Sequence, residues 1–409
     1  MQQRTVYKLI SLIITTLILG LIGWAIFIGR QQQELVSNVD DVGYVNTPGR
    51  GTFGVGENIF RGLLGGALDN IPEESIATTT PQFTPTLERV YNLPTAGFDI
   101  EDTGILFTDR ATGYVFRKRF ESDSAERIHQ LTIPQVYESY FTENSVIRRY
   151  VNVEESVVTS ITSLSEEEGE ERFLPMHIAS IAMNTSRDKL VYNVVTARGS
   201  SVIVSNTDGS DADVIFESKL QGWEVLWDGE YILINQKASY NIPGTAYRID
   251  PANGDTVIVA QQVHGLSARL SPDGERLLYS STDEEGRSVL FLKDLSTGES
   301  SSLFITGLVE KCAWTPDSLE IYCGLPTEIP DGIYPDDWYQ GAIYFRDSLW
   351  KIDAEKRLIS EVFPITSRSG VVLDMDKVII SKDSSRLLFI NRLDQTLWSI
   401  TLSEKESEN

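Results

Sequence analysis

The stretch Leu266-Ser-Ala-Arg-Leu-Ser271-Pro272-Asp273-Gly274-Glu-Arg-Leu-Leu-Tyr279 sets one turn between two short apolar runs, and Ser288-Val-Leu-Phe-Leu292 follows after a second polar turn. Proline presets φ, aspartate caps its own backbone and glycine takes positive φ without a Cβ clash, so residues 271–274 form a tight turn. The flanking runs are too short for ordinary helices and rich in strand formers. The unit therefore reads as strand, hairpin, strand, polar turn, strand. One such unit cannot bury its own apolar faces, so it predicts neighbours of the same kind.

Those neighbours recur at a nearly constant interval. Turn signals at Glu101, Thr142, Thr185, Asp228, Ser271, Thr315 and Ser381 each precede an aliphatic or aromatic run, and they are separated by 41, 43, 43, 43, 44 and 66 residues. An all-strand period of roughly 40–45 residues is what four-stranded propeller blades require. Several of the runs are continuously apolar, as expected of sheets covered on both faces. The expected fold is all-β, a seven-bladed β-propeller over residues 88–403.

The Ser-Pro-Asp-Gly and Thr-Pro-Asp-Ser turns, each followed by an aliphatic-aromatic strand, resemble the TolB-like and WD40-like (PD40) β-propeller repeat. The chain is also similar to membrane-anchored propellers of candidate bacterial phyla. The resemblance implies a ring of blades around a central channel and a protein-binding role in the cell envelope, and it implies no chemistry. Related repeats precede the hydrolase domain of some serine peptidases, but residues 404–409 leave no room for one, and no Gly-x-Ser-x-Gly elbow is present.

Ahead of the repeats, residues 9–29 form an apolar stretch whose charge-free core, Leu9–Ile28, is twenty residues long, enough at about 1.5 Å per residue to cross a bilayer core of roughly 30 Å. Arg4 and Lys8 precede it, while Arg30 is followed by Glu34, Asp40 and Asp41. The basic bias places residues 1–8 in the cytoplasm and the repeats outside, anchored by a single-pass helix. Residues 30–87 read as a linker, with Phe60, Leu63, Leu64, Ala67, Leu68 and Ile71 at helical spacing in a possible short helix over 58–71. Residues 404–409 read as a charged tail.

A formal charge of −24 sets the average surface against nucleic acid. Two cysteines and three histidines exclude a zinc ribbon or a disulfide scaffold, and no cofactor and no metal site are expected. Glu166, Glu167, Glu168, Glu170 and Glu171 read as a solvated acidic loop, and His129, His177 and His264 lack any short ligand spacing.

The stretched interval hides an insertion between the second and third strands of the sixth blade, spanning residues 324–347. Within it Tyr334, Trp338 and Tyr339 stand beside Asp336 and Asp337, the kind of aromatic anchors that concentrate interface energy. These five are the candidate partner-binding residues. The alternative is that the aromatics fold back to plug the channel or brace a neighbouring blade. Cys312 and Cys323 flank the Thr315-Pro316-Asp317-Ser318 turn on two antiparallel strands, so a disulfide is within reach there, with two buried thiols as the alternative. The function expected is a scaffold or interaction module that binds an envelope protein or a surface polymer. No motif carries a mechanism, so no enzymatic activity is expected, and a glycan- or peptide-acting hydrolase or lyase with acids at the channel rim stands as the alternative.

Finally, the last blade lacks a fourth strand after Leu397-Trp398-Ser399-Ile400. Glu88–Leu93 is the expected donor that closes the ring.

Overall fold

In a computed structural model of the chain, residues 83–165 and 171–403 are described. The expected span at 9–29, the helix at 58–71, most of the linker, Glu166–Glu170 and the tail at 404–409 lie outside these residues. Among the described residues no helix is long and apolar enough to cross a membrane.

The described residues form seven four-stranded antiparallel sheets, the blades of a β-propeller. Their first strands are Thr95–Glu101, Val136–Phe141, Ile178–Met183, Trp223–Leu226, Ala268–Leu270, Cys312–Trp314 and Met375–Ile380. Thr95–Glu101 packs beside Val136–Phe141, Ile178–Met183 beside Trp223–Leu226 and Cys312–Trp314 beside Met375–Ile380, so first strands line the axis. Apolar side chains fill the gaps between successive blades. Leu278, Leu290 and Leu303 of blade 5 meet Trp314 and Ile321 of blade 6, and Phe107 of blade 1 meets Leu388 and Leu397 of blade 7. This two-sided burial is the reason the strands read as continuous apolar runs.

Each of the seven turn signals joins the first and second strands of a blade. In blades 5, 6 and 7 the turn is built by one set of bonds. Ser271 Oγ, Thr315 Oγ1 and Ser381 Oγ lie 2.5, 2.6 and 2.5 Å from Oδ1 of Asp273, Asp317 and Asp383. The same hydroxyls accept from the backbone N–H of Arg276, Glu320 and Arg386. Gly274 has φ of +70°, and a Cβ there would stand 2.2 Å from the Tyr231 ring, so blade 5 needs glycine at this point.

Alternating strand direction gives the ring two different faces. The first-to-second and third-to-fourth turns lie on one, the turn face. The second-to-third loops and the connections between blades lie on the other, the connection face.

The ring is closed by an amino-terminal strand, Thr86–Tyr91, which pairs antiparallel with Leu397–Thr401 in the register Thr86↔Thr401 and Leu87↔Ile400. It starts two residues before the expected Glu88, because Leu87 already packs into the apolar seam of blades 6 and 7. The pairing puts Thr86 and Thr401 together at the turn face.

Candidate functional site

The insertion occupies 327–346, between Glu320–Pro326 and Asp347–Asp353 of blade 6, on the connection face. Its short helix, Asp336–Gln340, ends at Gly341, whose φ of +72° takes the left-handed cap position. Tyr334 and Trp338 are each 1% exposed and form a small core with Leu308 and Phe345, where the Tyr334 and Phe345 rings stack at 5.4 Å. Buried in this way, these two anchors offer no surface to a partner. The insertion folds back on the propeller, and its aromatics brace neighbouring blades.

What pulls Trp338 inward is a buried charge cluster. Lys311, at the start of blade 6, is fully buried and its ammonium bonds the carboxylates of Asp347 and Asp374, both also fully buried. Asp374 further accepts from the Trp338 indole N–H at 3.0 Å and from the Phe345 N–H at 3.2 Å. Asp347 accepts from the Met375 N–H at 2.7 Å. An isolated buried charge is expensive, so the shared ammonium and these donors make the arrangement tenable. Burial pushes the Asp347 carboxyl up to about 6, against the pull of Lys311. Arg392 of blade 7 stacks on the Trp338 ring at 4.0 Å and donates to the Trp338 carbonyl at 2.7 Å.

The two acids beside the helix are also engaged. Asp336 accepts from Ser239 Oγ at 3.0 Å and from the Tyr240 N–H at 2.7 Å, both in blade 4, and Asp337 accepts from the Ile333 N–H at 2.8 Å. Thr282 of blade 5 donates to the Tyr334 carbonyl at 2.9 Å. The insertion is thus held by blades 4, 5, 6 and 7.

A different pair of acids meets beneath the insertion. The Tyr339 hydroxyl donates to Glu310, which precedes the first strand of blade 6. Glu224, on the first strand of blade 4, lies close enough to both for their charges to couple. Burial and then Glu310 push the Glu224 carboxyl up to about 7, opposed by Lys237 and a hydrogen bond from Asn235. Burial and the same two acids hold the Tyr339 hydroxyl well above its ordinary value, so it stays a donor. Lys237 sits 5.4 Å from the centre of the Tyr339 ring. The cluster can therefore hold and exchange a proton near neutral pH at Glu224. Sequence reasoning missed both acids because they come from blades far apart in the chain. A partial signal was present for Glu310 alone: with Lys311 it interrupts the apolar run from Leu308 to Trp314, where a charge needs a partner.

Cys312 stands directly opposite Cys323 in the ladder, with Cα atoms 4.1 Å apart and the sulfurs joined at 2.11 Å. His129 is buried, His177 lies in a blade connection, and His264 faces the Tyr240 carbonyl at 2.7 Å, so the three do not converge. Among the described residues no group of three or more ligating side chains could hold a metal ion.

The loops differ sharply in apolar exposure. Leu93, Val153, Met176, Leu220, Ile242 and Leu393 are exposed on the connection face, together with Ile329, Ile333 and Tyr344 of the insertion. The turn-face loops expose only Leu319 and Leu358 among the described residues.

No family model matches the sequence, and no curated protein matches it. Solved structures do resemble the fold. An oligogalacturonate lyase in complex with manganese is 12% identical, with 78% of this chain and 98% of that chain covered and a TM-score of 0.48. An acylaminoacyl peptidase is 12% identical, with 62% and 42% covered and a TM-score of 0.42. TolB from Acinetobacter baumannii is 12% identical, with 75% and 79% covered and a TM-score of 0.40. The expectation of no enzymatic activity is corrected by the first two, because enzymes stand among the propellers this chain is similar to. That expectation rested on the absence of a motif with a mechanism, and such an absence does not exclude an activity. At these identities the likeness shows the fold alone: the chain is a seven-bladed β-propeller with TolB and oligogalacturonate lyase among its structural neighbours.

Proposed function

We propose that the protein is a membrane-anchored, extracytoplasmic interaction module whose connection face binds an envelope protein or a surface polymer. The observation that carries this reading is the asymmetry between faces. The exposed apolar loops crowd onto the connection face, while the chain joins the propeller at Thr86 on the opposite one. Contiguous exposed apolar surface is the mark of a binding surface, and on this face Ile329 and Tyr344 stand together along one groove of the insertion. The apolar segment 9–29, with Arg4 and Lys8 ahead of it, supplies the anchor and the orientation. A cysteine pair in register suits an oxidising compartment.

Two measurements test the reading. Protease added to intact spheroplasts should degrade the propeller, and full protection until lysis would overturn the location. A photo-reactive amino acid at Val153 in the full-length protein should form adducts in membranes, while one at Leu319 should not. Equal labelling from both faces would overturn the assignment of the binding face.

A further inference from the structure

We infer that the two legs of the sixth-blade insertion form a docking groove for a basic, apolar segment of another protein. The inference rests on the interaction reading above and deepens it by naming the place and the chemistry of the partner.

The groove lies between residues 328–330 and 342–346 and has a volume of about 370 Å³. The legs are tied together at its base by the Thr327 N–H and hydroxyl, which both donate to the Arg346 carbonyl at 2.8 and 3.0 Å. Pro330 is fixed from below, since the buried Tyr334 hydroxyl donates to its carbonyl. The walls are therefore preformed, and a partner need not order them on binding. Ile329 and Tyr344 stand about half exposed along the groove, and Ile333 continues the apolar surface toward blade 5.

The rim is acidic. Glu328 lies at the groove and Asp331 beside it, both exposed. The blade 5 loop packs directly against the insertion, since Tyr334 N–H donates to the Gly286 carbonyl at 2.9 Å, and Glu284 and Glu285 of that loop are exposed. Two cations are present. Arg287 is held by Asp283 at 2.8 Å and by Glu285 at 3.2 Å, which leaves Arg346 as the cation on the groove itself. The local balance is negative, and the chain as a whole carries −24. A second copy would bring the same charge and the same acidic rim, so self-association is opposed. Lysines or arginines flanking apolar side chains complement both the rim and the floor.

The test uses the full-length protein in nanodiscs of neutral phosphatidylcholine, with empty nanodiscs subtracted, and fluorescence anisotropy of three short labelled peptides. One alternates lysine with leucine, one lysine with serine, and one glutamate with leucine. The lysine–leucine peptide should bind, weaken as salt rises, and lose about tenfold in affinity to a protein carrying Tyr344→Ala with Ile329→Ser. Leu319→Ser with Leu358→Ser on the turn face should change nothing. Equal binding of the lysine–serine or the glutamate–leucine peptide would overturn the proposal. So would unchanged affinity in the groove variant when its unfolding midpoint matches the parent. Binding lost instead in Val153→Ser with Leu220→Ser would overturn the groove and leave the connection face standing. Insensitivity to every variant would overturn both.

Discussion

In blade 5 the loop between second and third strands is the short turn Asp283–Arg287, closed by bonds within itself, whereas in blade 6 the same connection runs through residues 327–346 and touches four blades. Yet the first turns of the two blades, at Ser271 and Thr315, are built by the same hydroxyl and carboxylate bonds. The repeat frame is local and tolerates what is added beyond it. The position occupied by Ser267 in blade 5, four residues before the turn, is Lys311 in blade 6. Ser267 donates its N–H to Ser280 Oγ at 3.1 Å, and its hydroxyl bonds Tyr339 of the insertion. Lys311 instead gathers Asp347, Asp374 and, through Asp374, Trp338. Lys311 thus gives blade 6 a charged anchor for the insertion, beside the bonds that Ser239, Tyr240, Thr282 and Arg392 make to it from other blades.

The sharpest way to break this contrast is Lys311→Met. It leaves two buried carboxylates facing each other and should cost about 3–5 kcal/mol in urea unfolding, whereas Ser267→Ala should cost about 1 kcal/mol. Equal losses would show that the insertion is held by its apolar core alone. Next comes the cysteine pair. Reduction should lower stability by about 2–3 kcal/mol, since the bond closes a short loop. Alkylation of unreduced protein, followed by mass spectrometry, should find no free thiol. Two alkylated thiols would remove the disulfide.

A third test reads pH. Glu224, pushed up to about 7, and Asp347, pushed up to about 6, bind protons in the folded state that unfolded carboxylates have already released. Their contribution is fully present below the ordinary carboxylate range and is lost as pH rises through about 6 to 7. Stability should therefore decline from pH 5 to 8. Glu224→Gln should flatten the upper part of that decline, where one proton is worth at most about 1.4 kcal/mol per pH unit. An unchanged slope in the variant would separate Glu224 from the insertion. The smallest effect tests the shared frame. Thr315→Val and Ser271→Ala each remove one turn hydroxyl and should cost about 1 kcal/mol alike. A much larger loss in blade 6 would mean that the insertion leans on the turn.

The later blades were legible in the sequence because their turns are specified within six residues, from Ser271 to Arg276 or from Thr315 to Glu320. The ring closure was legible as well, since Leu397–Thr401 left an edge and Glu88–Leu93 was the free strand before the first turn. The insertion was visible as a stretched interval, but its direction was not. Trp338 and Tyr334 read equally as anchors pointing out or as core, and contacts to Asp374, Arg392 and Thr282 turned them inward. The apolar side chains left at the surface, Ile329, Ile333 and Tyr344, were not distinguished from their neighbours beforehand.

By itself, then, the sequence determined the all-β class, the seven blades and the closing strand, because turn chemistry and strand pairing depend on residues near one another in the chain. Only the tertiary structure decided which aromatics are buried, where Lys311 finds its counter-ions, how Glu224 and Glu310 meet beneath Tyr339, and which face carries the apolar loops. Those outcomes depend on charges and surfaces supplied by blades far apart in sequence. In a closed ring, such distances are set by the geometry of closure and by no local pattern.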